Sequence, residues 1–186
     1  MGSRWCAELA DLVWPATCPG CGATGAAAAP ACRTCLLAFA AKPEPTDPSP
    51  RPAWLPAVWA VADYDSAPRA VLLAYKEHGS RRLAHPLGGA LAAGLAAAFA
   101  GGGGLLAQAR CVVVPMPSSA AARRNRGEDP MLRLTTVAVR RLRANGLPVT
   151  LLPALEQLPG VLDQASLSAS DRMRNLTGAL RIRPRA

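Results

Sequence analysis

Cys111-Val112-Val113-Val114-Pro115-Met116-Pro117-Ser118-Ser119 is the stretch on which the fold turns. Three consecutive valines predict a short buried strand, since β-branched side chains pack well on a pleated surface. Pro115 and Pro117 end it, because proline fixes φ and has no N–H for a ladder. The strand therefore runs into a loop rich in proline and serine. Open α/β sheets bind ligands beyond the carboxyl ends of their strands. Ser118 and Ser119 have hydroxyl and amide donors that suit phosphate oxygens, although an ordinary strand exit uses the same residues.

Moving outward, strands and helices alternate. Downstream, Asp129 as N-cap and Pro130 at the first helical position predict a helix to about Ala144, stopped by Gly146. Val149 to Leu152 reads as a strand. Ser168 with Asp171 signals a short helix, and Ala179 to Arg183 a last strand. Upstream, Ala57 to Tyr64 reads as a buried strand. A helix follows from Ser66 and Pro68 to about His78, stopped by Gly79, and a second covers Ala84 to Ala100. This alternation predicts βαβ units in a mainly parallel sheet. The fold class is α/β.

The front of the chain differs. Residues 1–42 contain Cys18-Pro19-Gly20-Cys21, ten intervening residues, then Cys32-Arg33-Thr34-Cys35. Each Cys-x-x-Cys turn aims two thiolates at one point, and two turns complete a tetrahedral four-sulfur shell suited to Zn²⁺. Four protein ligands leave no open position, so the expected zinc is structural. A disulfide or a redox pair are the competing readings. The first residues carry Glu8 and Asp11 where a secretory signal needs an apolar run, so the chain is expected to be cytoplasmic, where stable disulfides are rare. Cys6 and Cys111 fall outside the tetrad. Trp5 to Trp14 has the spacing of an amphipathic helix.

Residues 43–56 contain six prolines and read as a semi-rigid linker. The expected domains are thus 1–42 (metal module), 43–56 (linker) and 57–186 (α/β domain).

The formal net charge of the 186 residues is +9, which favours anionic partners: nucleic acid, acidic membranes or phosphorylated small molecules. Pro86 to Ala109 carries no charge, long enough for a membrane test. It is mostly alanine and glycine, which transfer weakly into lipid, and Gly101 to Gly104 break the helix, so no membrane span is expected. Lys76 is one of only two lysines and closes a helix, where a cation favours the C-terminus. Arg123-Arg124-Asn125-Arg126 is either a phosphate-binding turn or a solvated basic one. Asp163 to Asn175 is polar and loop-like between candidate strands.

Taken in order, these features resemble the ComF family, the phosphoribosyltransferase-like proteins named for a competence protein. The matching residues are Cys18 to Cys35, Tyr64, Lys76 with Gly79, Val114-Pro115-Met116-Pro117, Arg124 with Arg126-Gly127, and Gln164 through Leu176. The resemblance implies a type I phosphoribosyltransferase-like fold and a ligand such as 5-phosphoribosyl-1-pyrophosphate with Mg²⁺. It implies that Pro115, Met116, Pro117, Ser118 and Ser119 form a pyrophosphate loop. Gln164, Arg172 and Asn175 would belong to a mobile loop closing over the site, with Lys76, Arg124 and Arg126 as further ligand contacts. The family continues into Asp-Asp-x-x-Thr-Thr-Gly, whose acidic pair meets the ribose and whose amides cradle the 5-phosphate. This sequence has no such motif. The expectation is therefore an incomplete parallel sheet, C-terminally truncated, with little or no transferase activity, no assignable catalytic residue and an exposed, self-pairing edge. The alternative is a zinc-ribbon accessory protein that contacts nucleic acid or competence proteins.

Overall fold

The computed structural model describes residues 17–24, 29–101, 111–162 and 167–184. Cys6, the Trp5–Trp14 stretch, Asp163 and Gln164 lie outside them. The chain forms two compact units, residues 1–107 and 108–186. This division does not follow the boundaries expected at 42 and 56.

In the first unit, α1 (Arg33–Leu37) begins at Cys32. Strand β1 (Glu44–Thr46) lies within the expected linker and pairs antiparallel with β2 (Val58–Ala60), Pro45 opposite Trp59. Proline is tolerated there because an edge strand can forgo one ladder bond. Arg51 braces the intervening turn, pairing with Asp47 at 2.6 Å and donating to the Leu55 carbonyl at 2.8 Å. Residues 43–56 are thus a folded part of the unit, not a spacer.

Helix α2 (Ser66–Lys76) buries Pro68, Val71, Ala74 and Tyr75, one face at helical spacing. Gly79, at φ +68°, ends the segment in a conformation that costs glycine little. A 3₁₀ turn (Arg81–Leu83) leads into α3 (Ala84–Gly101), which lies against β1 and β2. Glycine makes that approach possible. A Cβ on Gly94 would stand 2.7 Å from Val61 Cγ1, and one on Gly101 2.4 Å from Trp59 Cζ2. Arg81–Gly101 is the one helical stretch among the described residues long and apolar enough to cross a membrane, with mean hydropathy 1.5. Its glycine face is spent on the unit's own strands.

The second unit is built on a strand–helix–strand crossover. β3 (Cys111–Val113) pairs parallel with β4 (Val149–Leu151), Cys111 opposite Val149, and both of these residues are buried. Between them run α4 (Ala120–Arg126) and α5 (Pro130–Ala144). Helix α5 packs on β4 and buries Leu134, Thr135, Ala138, Val139 and Leu142. Fully burying a side chain such as Leu142 contributes about 1.5–3 kcal/mol. The opposite face of the pair exposes Val112, Val114 and Leu152.

β5 (Leu155–Gln157) and β6 (Leu180–Ile182) pair antiparallel, Glu156 opposite Arg181, and those two side chains form an ion pair. Between them lies α6 (Ala169–Leu176), capped by Ser168, which accepts from the Asp171 amide. The architecture is therefore mixed α/β, with one parallel and two antiparallel two-stranded sheets among the described residues. The expected mainly parallel sheet is not what the described residues form. The Ala57–Tyr64 strand pairs with the proline-rich segment, and the last strand folds back on Leu155–Gln157.

Candidate functional site

The first candidate is the cysteine cluster. The Sγ atoms of Cys18, Cys21, Cys32 and Cys35 all lie within 4.8 Å of one another. Local structure explains the convergence. Thr17 bridges Thr24, the Cys18 amide donates to Ala23 O at 2.8 Å, and the Gly22 amide donates to Cys18 O at 2.8 Å. This tight hairpin needs Gly22, whose φ is +74°. The second pair sits at a helix start: Cys32 is the N-cap of α1, and the Cys35 amide points at its sulfur at 3.5 Å. A knuckle and a helix terminus thus each present two thiols.

The arrangement is compatible with a structural zinc ion. Tetrahedral coordination with Zn–S near 2.3 Å places sulfurs about 3.8 Å apart. Cys21 and Cys32 Sγ lie 3.7 Å apart. Amides of Gly20 and Cys32 point at Cys18 Sγ at 3.4 and 3.2 Å. Burial opposes ionisation of Cys18. The amides of Cys32, Cys21 and Gly20, with the Cys32 thiol, outweigh it and lower the Cys18 pKa to about 6. Cys35 moves up: burial dominates, the neighbouring thiols favour its neutral form, and the Cys18 charge adds to both. One thiolate is thus formed before any metal arrives, and a cation relieves the cost of the rest.

The second candidate is a cavity of about 120 Å³ in the second unit. Its walls include Pro115, Met116 and Pro117 from the loop leaving β3, together with Pro153 and Leu155. Leu132 from the first turn of α5 and the charged residues Arg123, Asp129 and Arg183 complete it. Neither the Arg123 nor the Arg183 guanidinium has a hydrogen-bond or ion-pair partner among the described residues.

Asp129 is fully engaged. It accepts from the Met131 amide at 3.1 Å and the Leu132 amide at 3.3 Å, capping α5. It also accepts from the Ser118 amide at 3.1 Å and the Ser118 hydroxyl at 3.0 Å. One carboxylate thereby ties the loop leaving β3 to the start of α5.

No family model, no curated protein and no solved structure matches this chain.

The residues singled out from sequence divide as follows. Pro115, Met116 and Pro117 share the cavity. Ser118 directs both donors to Asp129, and the same carboxylate caps the Met131 and Leu132 amides at the start of α5. Ser119 O receives the Arg123 amide in the first turn of α4. Arg124 and Arg126 lie on α4, Arg124 exposed and Arg126 half-buried, and neither is among the described walls. Arg172 is exposed on α6. Asn175 spends its amide on the chain itself: Nδ2 donates to Leu162 O and Oδ1 accepts from Leu162 N, each at 3.0 Å. Lys76 belongs to the first unit, exposed at the end of α2 and 3.7 Å from Glu77. Cys111 is a buried strand residue.

Sequence reasoning missed Arg183 as a cavity residue and Asp129 as the anchor of Ser118. The first had no local signal. The second could have been suspected, since an N-cap carboxylate has a second oxygen free to bind the segment before it.

Proposed function

We propose that the second unit binds a phosphorylated small molecule of the phosphoribosyl pyrophosphate type, the ligand class implied by the resemblance to the ComF family. The first unit would hold a structural zinc at its four cysteines. One observation carries the reading: a loop at the carboxyl end of a parallel strand opens onto a cavity with Arg123 in its wall, unpaired among the described residues. An arginine fork matches phosphate geometry, and a guanidinium without a protein counter-ion has no ion pair to break before it meets one.

The chemistry of the loop narrows the proposal. Pro115 and Pro117 have no N–H, and the Ser118 donors are taken by Asp129. Recognition of an anion therefore falls on guanidinium groups more than on a cradle of amides. The implied Mg²⁺ finds no open carboxylate, because Asp129, the one acidic residue among the described walls, already accepts four hydrogen bonds. The walls therefore do not supply a built Mg²⁺ site. The reading is therefore one of anion binding at these walls.

Calorimetric titration of the zinc-loaded chain with inorganic pyrophosphate and with phosphoribosyl pyrophosphate tests it. Binding that is lost in Arg123→Gln is the expected result. Absence of heat with either ligand at millimolar concentration, alongside salt-sensitive binding to single-stranded DNA, would overturn the reading in favour of a nucleic-acid accessory role.

A further inference from the structure

We infer that Arg183 is a second anion-binding residue of the cavity, closing with Arg123 on a single phosphoryl-sized group. The inference rests on the proposed reading of this cavity as an anion site, and it adds a residue from a different element. Arg183 follows β6, and its amide donates to Ala154 O at 2.7 Å, beside the walls made by Pro153 and Leu155. The root of the side chain is therefore fixed by a bond that continues the β5–β6 pairing by one residue. Arg123, another residue of the lining, is rooted by its own amide bond to Ser119 O at 3.0 Å.

Charge and size point to one kind of occupant. Both arginines line one small cavity, and neither pairs with Asp129, whose oxygens are engaged with Ser118 and the start of α5. An anion held by both gains two charge-assisted contacts. A volume of about 120 Å³ holds roughly four waters' share of liquid. Sites for whole drug-sized ligands run to about 300–1,000 Å³. The cavity thus fits one phosphoryl group or the end of a diphosphate, with the rest of any larger ligand outside. The remaining walls are prolines, leucines and a methionine, which offer no competing charge.

The experiment titrates the zinc-loaded chain with inorganic phosphate, pyrophosphate and phosphoribosyl pyrophosphate, comparing wild type with Arg183→Gln, Arg183→Lys, Arg123→Gln and Arg181→Gln. Arg181 controls for bulk charge, because it lies on β6 two residues before Arg183, paired with Glu156 and outside the described walls. Thermal unfolding checks that each variant is folded. Arg183→Gln should weaken pyrophosphate binding by about tenfold or more, Arg183→Lys by less, and Arg181→Gln by under about twofold. If Arg183→Gln binds like wild type while Arg123→Gln fails, the clamp is wrong and the anion site stands. Equal losses in Arg183→Gln and Arg181→Gln overturn the clamp in favour of general charge attraction. If wild type binds none of the three ligands, the anion site itself falls.

Discussion

Gly20→Ala tests whether the cysteine cluster is built into the packing of the first unit. A Cβ at Gly20 would lie 2.7 Å from Cys35 Sγ, 2.9 Å from Cys35 Cβ and 3.1 Å from Val71 Cγ2. Neither neighbour can yield cheaply. Cys35 is 4% exposed and anchored in α1, and Val71, at 0% exposed, is stiff at χ1 and sits in the buried face of α2. The knuckle must move instead, and overpacking of this kind costs about 1–3 kcal/mol. Part of that strain is present without metal, because the contacts to Cys35 Cβ and Val71 do not need zinc. The part at Cys35 Sγ is felt fully only when the sulfur is held by the ion. Zinc affinity should therefore fall by about tenfold, corresponding to about 1.4 kcal/mol. Competition against a chromophoric zinc chelator measures it. Gly22→Ala is the companion variant: its Cβ meets open space, but φ is +74°, so it loses about 1–2 kcal/mol to backbone strain with no clash. Zinc affinity of Gly20→Ala within twofold of wild type would refute the packing argument.

The Cys18 pKa is lowered from its ordinary 9.0 to about 6, so the stability contributed by its thiolate is present above pH 9 and lost as pH falls through 6. In the metal-free chain Cys18 gains a proton below about pH 6. Zinc must then displace that proton too, and affinity should fall by a further factor of about ten per pH unit. A plot of log affinity against pH that does not steepen near 6 would contradict this. Asp129→Ala should lower stability of the second unit by about 2 kcal/mol, combining loss of the α5 cap with unpaired Ser118 donors. Asp129→Asn keeps an accepting oxygen and should lose under about 1 kcal/mol. Urea unfolding of both variants separates the two, and equal losses would count against the Ser118 tie.

What could be read in advance was whatever is written locally. Helix α5 carries its whole grammar in sequence: Asp129 caps it, Pro130 opens it and Gly146, at φ +81°, closes it. The cysteine spacing announced a converging cluster, which the Sγ positions bear out. Strand β1 had no such signal. Glu44-Pro45-Thr46 is exposed throughout and shows no apolar alternation, so only its pairing with β2 makes it a strand. Helix α4 hid within a run that reads equally well as a basic turn. The cavity was half legible. Pro115 to Pro117 were marked by the valine strand before them, but Arg183 arrives through the antiparallel return of β6, a tertiary event. Ser118 was read as a ligand donor because its partner stands eleven residues away, beyond any local pattern.

The Asn175 amide has a consequence for how this chain tolerates change. By meeting both backbone groups of Leu162 it imitates one rung of a ladder, and it seals a ring above the one already sealed by Leu158 and Ala179. Lengthening the span between two such seals costs only a slowly growing closure entropy. Insertions there should leave the lower hairpin, and the guanidinium that it delivers to the cavity rim, where they are.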